Sequence, residues 1–376
     1  MTLTRIGVTA FLYSTALTAA AADACLAQAL PPLDAGALKG QIVVSTLAPG
    51  GARDTRVLAA PSATPLKGDE GFRIASVTKT YVAATALRLH EAGKLDLQST
   101  IDQYLPAQWI DLLKRDGYNP GEMTVRQLLS HTSGLADHAQ APQFIAAVKA
   151  NPATKWTPAE DVAHLVEWTQ PVGKPGEKYS YSDTGYILLG TIIERVSGQP
   201  LPKAVRTQLA LSGRGLPDTW WERAEPARGR TRAHQFFEGD DTYDWDPSMD
   251  LFGGGGIVAT PADMATFFDA LLAGRVFRNG ATLALMQSPV GLPADSPYRL
   301  GLLTYSFDGV AATGHSGFWG TLVVREPVSG RTIAGAVTRR EEFDQLKALV
   351  GRYVGAANAA ARAGGKGECG VPPRPE

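Results

Sequence analysis

Phe72-Arg73-Ile74-Ala75-Ser76-Val77-Thr78-Lys79 runs from a short extended segment into the first turn of a helix. Beyond it, Val77, Tyr81, Ala84 and Leu87 or Leu89 recur at helical spacing, and Gly93 supplies a stop, so a helix is predicted from about Val77 to Ala92. A serine at a helix start holds its hydroxyl near the positive end of the helix dipole. A lysine three residues on lies about one turn away and shares its face. Such a pair can make a nucleophile, because serine needs a base to take its proton and an unperturbed ammonium is no base at neutral pH. Alone, the same spacing also describes a serine N-cap followed by a solvated lysine.

Working outward, Gln41-Ile42-Val43-Val44-Ser45-Thr46-Leu47 is β-branched and short, a strand, with Arg56-Val57-Leu58-Ala59 as its hairpin partner across Gly50-Gly51. Near the other end, Gly320 to Val324 and Thr332 to Val337 read as antiparallel strands around Pro327-Val328-Ser329-Gly330, followed by a helix from Glu341 to Ala356. Between them, Thr124-Val125-Arg126-Gln127 has the spacing of a capping box. Tyr186 to Val196 reads as a buried helix ending at Gly198, and residues 212 to 250 as loops over a surface. After the run Gly253 to Gly256, Ile257-Val258-Ala259 leads to a helix with Thr260 as N-cap and Pro261 in its first turn. The fold class is therefore α+β: one antiparallel sheet built from both chain ends, flanked by helices, plus a mostly helical insert. The sheet lobe is placed at about 36–100 and 251–360, the helical lobe at about 101–250, and a tail at 361–376.

The 376 residues are 44% hydrophobic and 19% charged with net charge -1, an ordinary globular composition. No basic stripe calls for nucleic acid. Arg5 followed by the uncharged run Ile6 to Ala22, with small-x-small sites at Ala22-Asp23-Ala24 and Ala27-Gln28-Ala29, reads as a signal peptide over 1–29. That implies a periplasmic or secreted protein with no stable membrane insertion once cleaved. Cys25 and Cys369 form a disulfide only if cleavage precedes Cys25. No His-Glu-x-x-His, P-loop or Gly-x-Ser-x-Gly pattern occurs, so no metal and no cofactor are expected, and an α/β-hydrolase is disfavoured. The expected partner is a small-molecule or peptide substrate, with no obligate protein partner.

Two further motifs bear on chemistry. In Tyr181-Ser182-Asp183, residues two apart share a side of an extended segment, and a tyrosinate beside a lysine can receive the serine proton and return it to a leaving group. In His315-Ser316-Gly317, a cation or donor at the head of an edge strand can meet a substrate carboxylate, while free backbone groups pair with an extended peptide. Packing of Tyr181 with Tyr179 and Tyr186, and a plain turn histidine at 315, are the bland alternatives.

Together these motifs resemble the serine β-lactamase-like family of penicillin-recognising hydrolases, which includes class C β-lactamases, D-alanyl-D-alanine carboxypeptidases, D-amino-acid peptidases and related esterases. The family order is Ser-x-x-Lys, Tyr-x-Asn, then Lys/His-x-Gly. The resemblance runs from about Gln41 to Val354 and includes Leu128-Leu129-Ser130-His131-Thr132-Ser133-Gly134-Leu135 and the glycine run before Ile257. It implies that Ser76 attacks a carbonyl, that Lys79 and Tyr181 share acid and base work, and that backbone N–H groups of Ser76 and Phe318, the residue after Gly317, hold the oxyanion. A histidine at 315, where β-lactamases of this group usually carry lysine, looks more like the peptidase and esterase branches.

Asp183 departs from the family's usual Asn. Ionised Asp only accepts hydrogen bonds and favours the ammonium form of Lys79, which shifts base work toward Tyr181 or alters a substrate contact. His131 is expected to close a helix and shape the next loop, Ser133 and Ser316 are rival nucleophiles, and Trp220, Trp221, Trp245 and Trp319 fit a cleft lining or a core equally. The reading is an acyl-serine hydrolase of D-amino peptides, amides or small esters. The alternatives are a penicillin-binding protein or weak β-lactamase, and an inactive binder of peptidoglycan fragments.

Overall fold

The computed structural model describes residues 37–227, 231–290 and 296–363. The signal peptide, both cysteines and residues 364–376 of the tail lie outside the described residues. The strands are β1 (Gln41–Leu47), β2 (Arg53–Ala59), β3 (Phe72–Arg73), β4 (Thr219–Trp221), β5 (Phe236–Phe237), β6 (Asp240–Asp241), β7 (Ile257–Ala259), β8 (Leu303–Phe307), β9 (Val310–Gly317), β10 (Thr321–Arg325) and β11 (Thr332–Val337). The α-helices are α1 (Thr78–Glu91), α2 (Ala107–Arg115), α3 (Val125–Leu129), α4 (Pro142–Ala150), α5 (Pro158–Trp168), α6 (Asp183–Ser197), α7 (Leu201–Gln208), α8 (Pro261–Leu272), α9 (Gly280–Gln287) and α10 (Phe343–Arg362). None of them is long and apolar enough to cross a membrane.

The main sheet has the order β2-β1-β11-β10-β9-β8 and is antiparallel throughout. The two chain ends meet where β1 pairs with β11, from Ile42 opposite Val337 to Leu47 opposite Thr332. Side chains alternate across a strand. Ile42, Val44, Leu322, Val324, Ile333 and Val337 therefore pack with Leu346, Val350 and Val354 of α10. On the other face Val323 and Ala334 join the large core of α1, α6 and α8. Both faces are covered, which is why β10 and β11 read as near-continuous apolar runs.

Several local expectations are met. Thr124 and Gln127 form both halves of the capping box at α3. Thr260 caps α8, accepting from the Asp263 N–H with Pro261 in the first turn. Helix α1 is buried on nearly every side, Lys79 included, so it is a central helix rather than an amphipathic one.

Two expectations change. The segment 212–250 is not a surface loop: β4 adds to a small sheet of order β3-β7-β4, and Trp220, Trp221 and Trp245 are buried. Polar residues hid this because short strands between turns leave little periodicity. Helix α6 begins at Asp183, earlier than Tyr186, because Ser182 caps it by accepting from the Gly185 N–H at 3.1 Å. Tyr181 and Asp183 therefore meet at a loop-to-helix corner and do not share one face of an extended segment.

Candidate active site

Ala75 adopts the left-handed backbone (φ 46°) and turns the chain from β3 into a short 3-10 turn, Ala75–Val77, that leads into α1. A non-glycine residue in that region is strained, and such strain is held at functional sites by its surroundings. Here Ala75 is buried among Trp245, Trp319 and Phe144. The turn presents Ser76 at the floor of a cleft of about 390 Å³.

Lys79, one turn further, has no solvent exposure. Its Nζ donates to Ser76 Oγ at 2.9 Å and to the Gly254 carbonyl at 2.7 Å, and pairs with Asp183 Oδ1. An ammonium has three hydrogens, and here each has an acceptor. The glycine run makes this possible: a Cβ at Gly254 would come within 3.2 Å of Asp183 Oδ1, and the backbone must pass close to deliver its carbonyl. The Lys79 ammonium also lies 5.0 Å from the centre of the Tyr181 ring.

Tyr181 has its hydroxyl beside Ser76. Burial, with the charge of Asp183, pushes its ionisation well above the usual tyrosine value. The resting form is thus the phenol, and the tyrosinate anticipated from sequence is disfavoured first by burial and then by the carboxylate that marks this chain.

Gly317 lies against the nucleophile turn, where a Cβ would strike the Ile74 carbonyl at 2.1 Å. Strand β8 pairs with β9 only as far as Gly314, so His315 to Gly317 extend beyond it with β10 on one side only. Phe318 follows on the rim, 41% exposed.

His315 departs from expectation. It is buried, not a cation at the mouth of the cleft. Nδ1 contacts the Ser316 carbonyl at 2.7 Å and so carries the proton, which leaves Nε2 to accept from the Tyr298 hydroxyl at 3.1 Å. Burial pulls its pKa down to about 3, so it is neutral. Both ring nitrogens are engaged inside the protein, and none is free for a substrate carboxylate.

The cleft holds two carboxyls that the sequence reading missed, Asp137 and Asp250. Asp137 accepts from the Ala139 N–H and the Gln140 amide, each at 3.1 Å, and Gln140 also donates to the Tyr181 carbonyl. Asp250 accepts from the Trp319 indole at 3.2 Å, next to Phe318. Burial, then the charge of Asp183, raises both to about 7. Each had a faint signal: Asp137 follows the Ser-Gly-Leu turn, and Asp250 precedes the glycine run. Apolar side chains, among them Phe144, Ile145, Ile187 and Met249, complete the walls. Among the described residues no group of three or more His, Cys, Asp or Glu side chains is placed to hold a metal ion.

Residues 37–355 match the family described as Beta-lactamase, and the chain belongs to that family. Among its relatives, Penicillin-binding protein 4 of Amycolatopsis lactamdurans is 29% identical over 66% of this chain and 66% of its own length. Penicillin-binding protein 4* of Bacillus subtilis is 31% identical over 41% of this chain and 31% of its own length, so the chain spans about a third of that relative. Among solved structures, a D-stereospecific amidohydrolase from Streptomyces sp. has TM-score 0.75 at 27% identity, covering 88% of this chain and 98% of that one. A D-amino acid amidase from Ochrobactrum anthropi SV3 has TM-score 0.70 at 26% identity, covering 84% and 95%.

Proposed function

We propose that this chain is an exported acyl-serine hydrolase that cleaves amides or short peptides of D-amino acids whose amine is free, with small esters as accessory substrates. The observation that carries the reading is the hydrogen bond from Lys79 to Ser76 at the floor of a cleft walled by Asp137, Asp183 and Asp250. Carboxylates beside a nucleophile suit a substrate ammonium next to the scissile carbonyl, and the apolar walls suit its side chain. The names of the amidohydrolase and amidase neighbours support the same class.

In the proposed course, Ser76 Oγ attacks the carbonyl as its proton passes to Lys79 Nζ and Lys79 hands one of its own to Asp183. The ammonium donates to Ser76 at rest, so it becomes an acceptor only by releasing a proton, and the paired carboxylate receives it. The backbone N–H groups of Ser76 and Phe318 hold the oxyanion. Tyr181, a phenol beside Ser76, protonates the leaving nitrogen as the tetrahedral adduct collapses and recovers a proton from the Lys79–Asp183 pair. Water then attacks the acyl-enzyme, its proton returning by the same route to Ser76. The segment 1–29 would be the export signal.

The test is burst kinetics and intact mass on the mature protein with D-phenylalanine amide, its N-acetyl derivative, an activated acetate ester and a β-lactam. Turnover of the free amide well above its N-acetyl form, with an adduct lost in Ser76→Ala, supports the proposal. A long-lived β-lactam adduct without amide turnover favours a penicillin-binding protein. Binding of muropeptides without any adduct favours an inactive receptor.

A further inference from the structure

His131 ends the turn after α3 in a left-handed conformation (φ 56°) and is buried. Its place is unusual because it touches the chain on both sides of Tyr181. The His131 carbonyl accepts the Ser180 N–H at 2.8 Å. Its Nδ1 accepts the Ser182 N–H at 3.0 Å. Its ring lies 4.2 Å from the Tyr181 ring, tilted by 31°. Nε2 is buried without a hydrogen-bond partner, and the rings of Tyr179, Tyr186 and Tyr298 also lie against the imidazole.

We propose that His131 is a positioning residue for Tyr181, clamping the backbone at 180 and 182 and backing the phenol with its ring so that the hydroxyl stays on Ser76. The proposal rests on the proton-handling role given to Tyr181 above. An imidazole nitrogen can accept from an amide only when unprotonated. Burial, with the charge of Lys79, keeps His131 well below its ordinary pKa, so the acceptor persists through the neutral range. Ser182 is held in two further ways, donating from Oγ to the Ala136 carbonyl at 2.5 Å and capping α6. Gln140 holds the Tyr181 carbonyl at 3.2 Å, and the His131 ring is one of the surfaces that set the direction of the Tyr181 ring.

Three measurements test this. In His131→Leu, kcat for acylation should fall on the order of 100-fold with KM within about threefold, since a displacement near 1 Å at reacting groups costs about that much. In His131→Asn, the amide oxygen takes the place of Nδ1 and the residue tolerates the left-handed backbone, so kcat should return to within about tenfold of the parent. In a chain already carrying Tyr181→Phe, His131→Leu should cost no more than about twofold. A folded His131→Leu protein with parental kcat overturns the proposal, as does an Asn variant no better than Leu, or an equal loss with and without the Tyr181 hydroxyl. If Leu does not fold, His131→Gln, whose oxygen reaches past the Nδ1 position, replaces it with the same expectations. Should Tyr181→Phe itself leave kcat unchanged, the proton role of Tyr181 fails. The clamp is then judged by a crystal structure of the His131 variant: a shifted residue 181 supports it, and unmoved coordinates at 180–182 overturn it.

Discussion

Arg73 and Lys79 flank one turn of chain, and each is a cation buried against a carboxylate, Glu222 for the first and Asp183 for the second. Their surroundings differ. The Arg73 guanidinium gives two further donors to the carbonyls of Thr242 at 2.9 Å and Trp245 at 2.7 Å, and so ties β3 to the segment that leads to Asp250. Lys79 gives one hydrogen to a serine hydroxyl, and its carboxylate keeps 25% of its side chain open. A guanidinium shared wholly among fixed acceptors holds loops together. A pair that faces a hydroxyl on one side and a cavity on the other can pass protons to whatever enters.

The contrast breaks if both pairs behave alike under substitution. The largest effects should be on turnover: Ser76→Ala and Lys79→Met should each lower kcat about 10⁴-fold or more, as loss of a member of a catalytic unit does. Removing one partner of a buried pair costs stability because the other charge is left uncompensated, but Asp183 is 25% open and can take up water from the cleft once Lys79 is gone. Lys79→Met should therefore unfold in denaturant near the parent midpoint. Arg73→Met should do the opposite, costing about 3 kcal/mol, because two buried carbonyls lose their donor and Glu222 keeps only its longer pairing with Arg232 at 3.4 Å. Denaturation curves and kcat on the same preparations decide it, and equal destabilisation by the two methionines would remove the distinction.

Asp183→Asn sharpens the comparison within the functional pair. Asn keeps the shape and loses the charge, so substrates with a free ammonium should lose about 10- to 100-fold in kcat/KM, the worth of a hydrogen bond to a charged group. Neutral activated esters lose only the proton relay through Lys79 and make no ammonium contact, so their loss should be the smaller of the two. Equal losses on both would show that Asp183 serves Lys79 alone.

The two regions were not equally legible in the sequence. The strands at 41–47 and 332–337 and the caps at Thr124 and Thr260 follow from β-branching and capping chemistry, which are local. Ser76, Lys79, Tyr181 and Asp183 were singled out from short spacings, and the fold brings them together. The Arg73 anchor was invisible because its acceptors are backbone carbonyls some 170 residues away, at Thr242 and Trp245. The inert state of His315 was hidden for the same reason: burial and the Tyr298 hydroxyl decide it, and neither is a property of Gly314-His315-Ser316-Gly317. Asp137 and Asp250 share the cleft only because α6 and the glycine run converge on it.

Those two carboxyls give the finest test, because they tie stability and binding to one pH window. Asp250 is raised from 3.8 to about 7 by burial and by the charge of Asp183, with Lys79 and Arg73 opposing. Between pH 4 and 7 the folded protein keeps a proton that the unfolded chain has released, so stability falls as pH rises through that window and levels above it. Over the same window the ionised fraction of Asp250 grows, so KM for substrates bearing an ammonium should fall. KM should thus decline from pH 5 to 7.5, the parent's unfolding midpoint should fall relative to that of Asp250→Asn over the same range, and Asp250→Asn should flatten the KM profile. Since Asp137 and the buried histidines, whose lowered pKa values oppose the trend, titrate in parent and variant alike, the difference between the two profiles isolates position 250. A variant that flattens the stability profile but leaves the KM profile intact would place Asp250 with Arg73, as part of the scaffold, and leave Asp183 to meet the ammonium without it.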